Sequence, residues 1–321
     1  MVERFQARDI LLPYGIFLAI FLVAWIIPPL GVIVGVLIPV PLILVYLQRG
    51  KLTGLISITG VAAALWILVG PQLAVAFVSA YGIMAAAMAE ATRWSLPFEK
   101  TILFSALAPA LLTGLLVVVG MTGQEESLSQ HLESLLKKEA AGYVQELEKS
   151  GETPEDIRAI RATIDEMAPV LASIFPAFIL VSSLVGALIN FLAVRFLWLK
   201  FYSRKYFEGV EVARWMFSDS LVWLLIGSVG ALIVGEGLLR TVGLNLTVIL
   251  LVLYLFQGLA VVVHILTAKA FSKWVWIVIF ALILFQPMFM GVVIGIGLFD
   301  IWVDFRKIRK TPPPGSMDAV D

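Results

Sequence analysis

The sequence predicts an all-α fold: a polytopic transmembrane helical bundle of about ten spans, both termini cytoplasmic, with a helical hairpin outside the membrane. Three observations lead there. Hydrophobic residues make up 60% of the 321-residue chain, charged residues only 14%, and mean hydropathy is +0.99; soluble domains sit near about 45–50% and about 25%. Apolar runs that approach the ~20 residues a spanning helix needs recur along most of the chain. One stretch, 122–168, breaks the pattern with eleven acidic residues against five basic. The lipid bilayer is therefore the first partner.

Composition also excludes. Net charge is zero, and no basic face alternates with stacking aromatics as a nucleic-acid footprint would. The absence of cysteine removes disulfides, thiol nucleophiles and thiolate metal sites. The two histidines, His131 and His264, are too far apart in the predicted topology to build a metal site, so neither metal nor cofactor is expected. H-E-x-x-H, G-x-S-x-G and Walker A patterns are missing, and the expectation is a protein without enzymatic activity.

The first run, 10–27, follows Arg4 and Arg8. It resembles a signal sequence, but no small-residue cleavage site follows it and it reads as a retained helix. Pro28-Pro29 and Gly31 then force a tight hairpin into 30–48, because proline cannot donate to a continuing helix. Runs 52–69, 72–92 and 101–121 complete five spans. In the fourth, Ala85 with Ala89 and Ala87 with Ala91 offer small-residue faces for close helix contact. After the hairpin come 169–199, 219–239 and 243–268. The last run, 272–305, is too long for one span, and Gln286-Pro287 splits it into 272–285 and 288–305.

Basic residues test that split, since Lys and Arg accumulate in cytoplasmic loops. With ten spans and an inner N-terminus, 17 of the 23 lysines and arginines fall inside, the basic, proline-rich tail 306–321 among them. The predicted home is the bacterial cytoplasmic (inner) membrane.

Within 122–168, Leu128, Leu132, Leu135, Leu136, Val144 and Leu147 form an apolar stripe at helical spacing. Gly151 ends that helix. Thr153, Pro154 and Asp156 then supply an N-cap, a first-turn proline and a capping-box partner for the next helix, which carries Ile157, Ile160, Ile164 and Met167. An extracytoplasmic antiparallel hairpin follows, and the chain divides into 1–121, 122–168, 169–305 and 306–321.

Polar residues at membrane depth are the candidate sites, because an ionised side chain there costs roughly 2.5–3.5 kcal/mol on insertion scales. Asp300, within "GIGLFDIWVDFRKIRK", is the foremost. Arg195 lies at comparable depth in the sixth span, and an Arg195–Asp300 pair, completed by Asn190 or Gln257, would neutralise both. These four residues are expected to line or brace a polar interior. Secondary candidates are Glu236, set to pair with Arg240 at i+4; His264, a packing residue; and Asp304, placed to pair with Lys307 near the headgroups.

The second half resembles a known family. "ALINFLAVR", "RWMFSDSLVWLL", "LFQGLAVVVHIL" and "GIGLFDIWVDFRK" together resemble the YybS-like family, a bacterial group of predicted membrane proteins, across roughly 170–310. The most specific element is residues 297–306. The resemblance implies remote similarity to the S components of energy-coupling-factor vitamin transporters, compact bundles that capture a small molecule. This chain departs from them in having more spans and the acidic hairpin. Two functions follow as expectations: transporter-like binding of a small solute, or a scaffold whose hairpin recruits an envelope partner.

Overall fold

The computed structural model describes residues 34–120, 127–202, 206–207 and 216–308, with isolated positions at 16, 20, 27 and 31. Apart from those isolated positions, the predicted first span, 10–27, lies outside the described residues, as does the tail beyond Ile308. The fold is all-helical among the described residues, in two compact units, 1–210 and 211–321.

Unit 1 holds α1 (Pro39–Arg49), α2 (Lys51–Leu68), α3 (Pro71–Arg93), α4 (Phe98–Gly120), α5 (Leu128–Lys149) and α6 (Pro154–Phe201). Gly50, at a φ of 87°, makes the turn between α1 and α2 that only glycine adopts without strain. A Cβ on Gly54 would overlap the Tyr46 ring, so its absence lets α2 lie directly on α1 and clamp that ring. Within α3, residues Val78–Gly82 form a π-helical turn. Its last residue, Gly82, faces Ile58 of α2, with a hypothetical Cβ 2.9 Å from Ile58 Cγ2.

The hairpin forms as its punctuation predicts. Gly151 turns the chain at φ 88°, and Thr153 accepts from the Asp156 amide at 3.2 Å. A further cap was not foreseen: Ser127 and Gln130 form a full capping box on α5. Val144 and Ile157 are buried between the helices, and the exposed pairs Arg161–Glu148, at 2.8 Å, and Lys137–Asp165, at 3.7 Å, cross them. The Glu133 hydrogen bond, joined by the charges of Glu133 and Asp165, raises the Lys137 ammonium above its usual range against an opposing desolvation. The apolar stripe is narrower than the spacing suggested: Leu135, Leu136 and Met167 are exposed. Beyond it, α6 continues unbroken for 48 residues through Pro169 and Pro176. By packing, this helix belongs to unit 1, so the division between units falls near 210, past the composition boundary at 168.

Unit 2 holds α7 (Ser220–Val234), α8 (Gly237–Ala268), α9 (Lys273–Phe285) and α10 (Pro287–Val303). The break at Gln286-Pro287 is where the sequence put it, and α9 and α10 bend by 102° across it. Backbone contact joins α8 to α10. A Cβ on Gly258 would overlap the Val293 carbonyl, and one on Gly297 the Tyr254 carbonyl and the Gly258 amide.

Among the described residues, five helices are long and apolar enough to cross a membrane, or six if the bent pair is one span. They are α2, α3, α4, α6 and α8. Among the described residues, the expected span 30–48 contains α1, of 11 residues, after the turn at 36–38, and the expected span 219–239 contains α7, of 15. Proline accounts for the first: Pro39 and Pro41 lack the N–H that a continuous helix would use, and residues 36–38 form a turn instead.

Candidate functional site

Asp300 is fully buried, and its carboxylate is completely occupied from within unit 2. Oδ2 accepts from Arg306 Nη2 at 2.7 Å, from Arg306 Nε at 3.2 Å and from Gln257 Nε2 at 3.3 Å. Oδ1 accepts from the Phe305 amide at 3.0 Å. The Gln257 carboxamide oxygen in turn accepts from the Phe217 amide at 3.3 Å. The cation is thus Arg306, where the sequence pointed to Arg195. Helix α10 ends at Val303, Asp304 adopts a left-handed φ of 48°, and the chain hooks back so that Arg306 lands on Asp300 one turn inside the helix end. Arg306, read from sequence as a charge of the basic tail, is itself buried. A fork-to-carboxylate contact of this kind is geometrically specific, and it closes the end of the unit.

The remaining predicted residues fall as follows. Asn190 is wholly buried in unit 1, and its Nδ2 donates to the carbonyls of Val36 and Gly186, both at 2.8 Å. The Val36 carbonyl needs that donor because the Val40 amide, its helical partner, bonds Leu37 instead. Asn190 therefore repairs a proline-broken helix, as intramembrane polar residues do. Asn190 Oδ1 is buried without a partner among the described residues. Arg195 is half-buried on α6. Asp304 Oδ1 accepts from the Ile308 amide at 2.9 Å, so the side chain braces the hook's turn. Glu236 is the N-cap residue of α8 and exposed; no ion pair with Arg240 forms among the described residues, because Glu236 has extended rather than helical backbone and the i+4 geometry is lost. His264 is half-buried on α8.

A second charged cluster escaped the sequence reading. Glu90, in the last turn of α3, accepts at Oε1 from the Tyr46 hydroxyl at 2.7 Å and from Arg93 Nη1 at 3.0 Å. Arg93 also stands over the Tyr46 ring, 6.0 Å from its centroid. Glu90 Oε2 has no hydrogen-bond partner among the described residues, and the side chain retains 17% exposure. That exposure opens into a cavity of about 350 Å³ bounded by Tyr46, Lys51, Glu90, Trp94 and Phe104, with Ala86, Ala87, Ala91 and Ala108 leaving the room. The size lies within the range of small-ligand sites, roughly 300–1,000 Å³. Of the two small-residue faces of α3, Ala85 and Ala89 are packed inside, whereas Ala87 and Ala91 line this cavity. The signal was present in "AAAMAEATRW": one carboxylate in an otherwise apolar and small-residue run. Its partners are Arg93 at i+3 and Tyr46, 44 positions away.

Apolar helices of spanning length, a buried ion pair at the end of α10 and glycine-mediated backbone contacts define an integral membrane protein of the all-helical class. The chain belongs to the family described as a predicted membrane protein (DUF2232), which matches residues 15–301. No curated protein and no solved structure matches it.

Proposed function

We propose that this membrane protein binds a small solute, in the manner of a transporter, in the cavity of unit 1 beside Tyr46, Lys51 and Glu90. One observation carries the reading: Glu90 lines a cavity of about 350 Å³ while only one of its carboxylate oxygens accepts from protein donors among the described residues. An acidic side chain within an apolar helix of spanning length is a functional candidate by default. The role proposed for the cavity is binding. Asn190, Arg195, Gln257 and Asp300 then brace the interior, in keeping with their donors and acceptors being turned onto the protein's own backbone and side chains where partners are seen.

The proposed setting is the bacterial cytoplasmic membrane with both termini inside, which puts Arg49, Lys51, Arg93 and Lys100 on the inner face as the charge rule favours. The test is to extract small molecules from the full-length protein purified from native membranes, beside Glu90→Gln and Ala87→Trp variants. Wild type is expected to carry an enriched compound that both variants lose about tenfold or more. Identical extracts from all three would sink the reading.

A second reading rests on the hairpin, where Leu135, Leu136 and Tyr143 of α5 and Met167 in the first half of α6 remain exposed. Such residues suit docking of an envelope protein partner. Replacing 124–166 by a short linker separates the two: a scaffold loses its function, whereas solute retention at Glu90 survives.

A further inference from the structure

The cavity beside Glu90 has a larger neighbour. A second cavity in unit 1, about 560 Å³, is bounded by Trp66 and Ile67 of α2, Val75, Val78 and Ser79 of α3, and Leu112 and Leu116 of α4. Its walls are almost wholly apolar. The two cavities share helices and share faces of those helices. On α4, Phe104 and Ala108 line the first, Leu112 and Leu116 the second, a single stripe at four-residue intervals. On α3, Ala74 and Val78 of the second continue at the same interval through Gly82 to Ala86 and Glu90 of the first. On α2, Lys51 and Leu55 give way to Ala62, Ala63 and Trp66. The two cavities thus lie in line along the same three helices, flanked by α2 and α4 and floored by α3, and an occupant passing Ile58, which packs over Gly82 between them, would join them as one groove.

Length and polarity then specify an occupant. From Phe104 to Leu116 the α4 stripe runs roughly 18 Å at about 1.5 Å per residue, a little more than the ~15 Å that one leaflet contributes to a ~30 Å hydrocarbon core. All the charge is at one end. There, the free Oε2 of Glu90 accepts a donor, and Lys51, exposed at the first position of α2, donates to an anion. The floor near the other end is the π-helical turn at Val78–Gly82, a feature that recurs at functional sites because it widens the local helix and re-aims its side chains.

From this we infer that the solute is a lipid-like amphiphile with one hydrocarbon tail and a zwitterionic head: its primary ammonium donates to Glu90, its phosphate accepts from Lys51, and its tail lies along the α4 stripe toward Trp66. The inference rests on the solute-binding reading above. It goes further by fixing head chemistry and tail length.

The test measures binding to the full-length detergent-solubilised protein by native mass spectrometry. Three probes are compared: myristoyl lysophosphatidylethanolamine, myristoyl lysophosphatidylglycerol and tail-free O-phosphoethanolamine. The first is expected to bind about tenfold or more tighter than either other, a difference of about 1.4 kcal/mol. Glu90→Gln, which keeps an acceptor for Tyr46 and Arg93, should abolish the preference for the ethanolamine head while leaving the glycerol lipid unchanged. Ala63→Trp, which fills the apolar end, should weaken the myristoyl probe about tenfold and spare a hexanoyl analogue. Equal affinity for both lipid heads, insensitive to Glu90→Gln, overturns the head assignment. Phosphoethanolamine binding as tightly as its acylated form, and sensitive to Glu90→Gln, overturns the groove yet leaves a solute site at Glu90. If no probe binds while the extract experiment yields a Glu90-dependent compound, the amphiphile is wrong and the site stands; if both are negative, the site itself falls.

Discussion

Replacing Arg306 by methionine would strand a carboxylate that has no access to water. Asp300 would keep the Gln257 amide and the Phe305 N–H but lose both guanidinium bonds. Breaking one side of a buried pair costs about 3–5 kcal/mol, because the remaining charge is uncompensated, whereas replacing both partners by apolar residues is often neutral. Thermal unfolding in micelles should therefore show Arg306→Met strongly destabilised and the Asp300→Leu, Arg306→Met double variant restored to near wild type. A double variant no more stable than the single one would mean the pair is not what holds the hook. At this scale the sequence was half legible. A carboxylate in an apolar run announces a compensating partner, and Gln257 was named; the cation was hidden because nothing in "DIWVDFRK" marks a left-handed turn at Asp304. Glu90 was missed for the complementary reason, that its tyrosine partner comes from a distant helix and only folding reveals the free oxygen.

Helices show the same division between local and non-local signals. Where chemistry is local, the elements were foreseen: Gly151, Thr153 and Pro154 punctuate the hairpin, and Gln286-Pro287 breaks the last run. Where neighbours decide, they were not. Pro169 and Pro176 do not interrupt α6, and the π-helical turn in α3 leaves no trace in composition. The contact of α8 with α10 belongs to this second kind. Gly258 and Gly297 face each other's backbones, so a single methyl group at either must push two helices apart. Overpacking of this sort costs about 1–3 kcal/mol, and here it would also lengthen the Gln257–Asp300 bond, since Gln257 precedes Gly258 and Asp300 follows Gly297 by three residues. Gly258→Ala and Gly297→Ala are each expected to lower the unfolding midpoint, while Gly295→Ala, which meets open space, should not. A Gly295 variant as damaging as the other two would disprove the close contact.

For the whole molecule the open quantity is orientation, and the chain is suited to its measurement because it has no cysteine. Each engineered thiol would be the sole reporter. In unit 1, α4 starts beside the Glu90 end and rises 23 residues toward the hairpin, roughly 34 Å at about 1.5 Å per residue, enough to cross a ~30 Å hydrocarbon core. Lys51 and Ser150 should consequently face opposite solutions. Both sites tolerate substitution on physical grounds: Lys51 is exposed at a helix start, and Ser150 is exposed at the hairpin tip, where its hydroxyl bonds only its own helix through the Glu146 carbonyl. With both termini inside, a membrane-impermeant maleimide is expected to label Ser150→Cys in intact cells and Lys51→Cys only after the membrane is opened or inverted. The reverse pattern would invert the protein and carry the Lys51 and Glu90 head site to the outer leaflet, changing which lipids could reach it. Labelling of both from one side would be worse for the fold, since α4 could then not cross the bilayer and the groove along it would no longer match a leaflet.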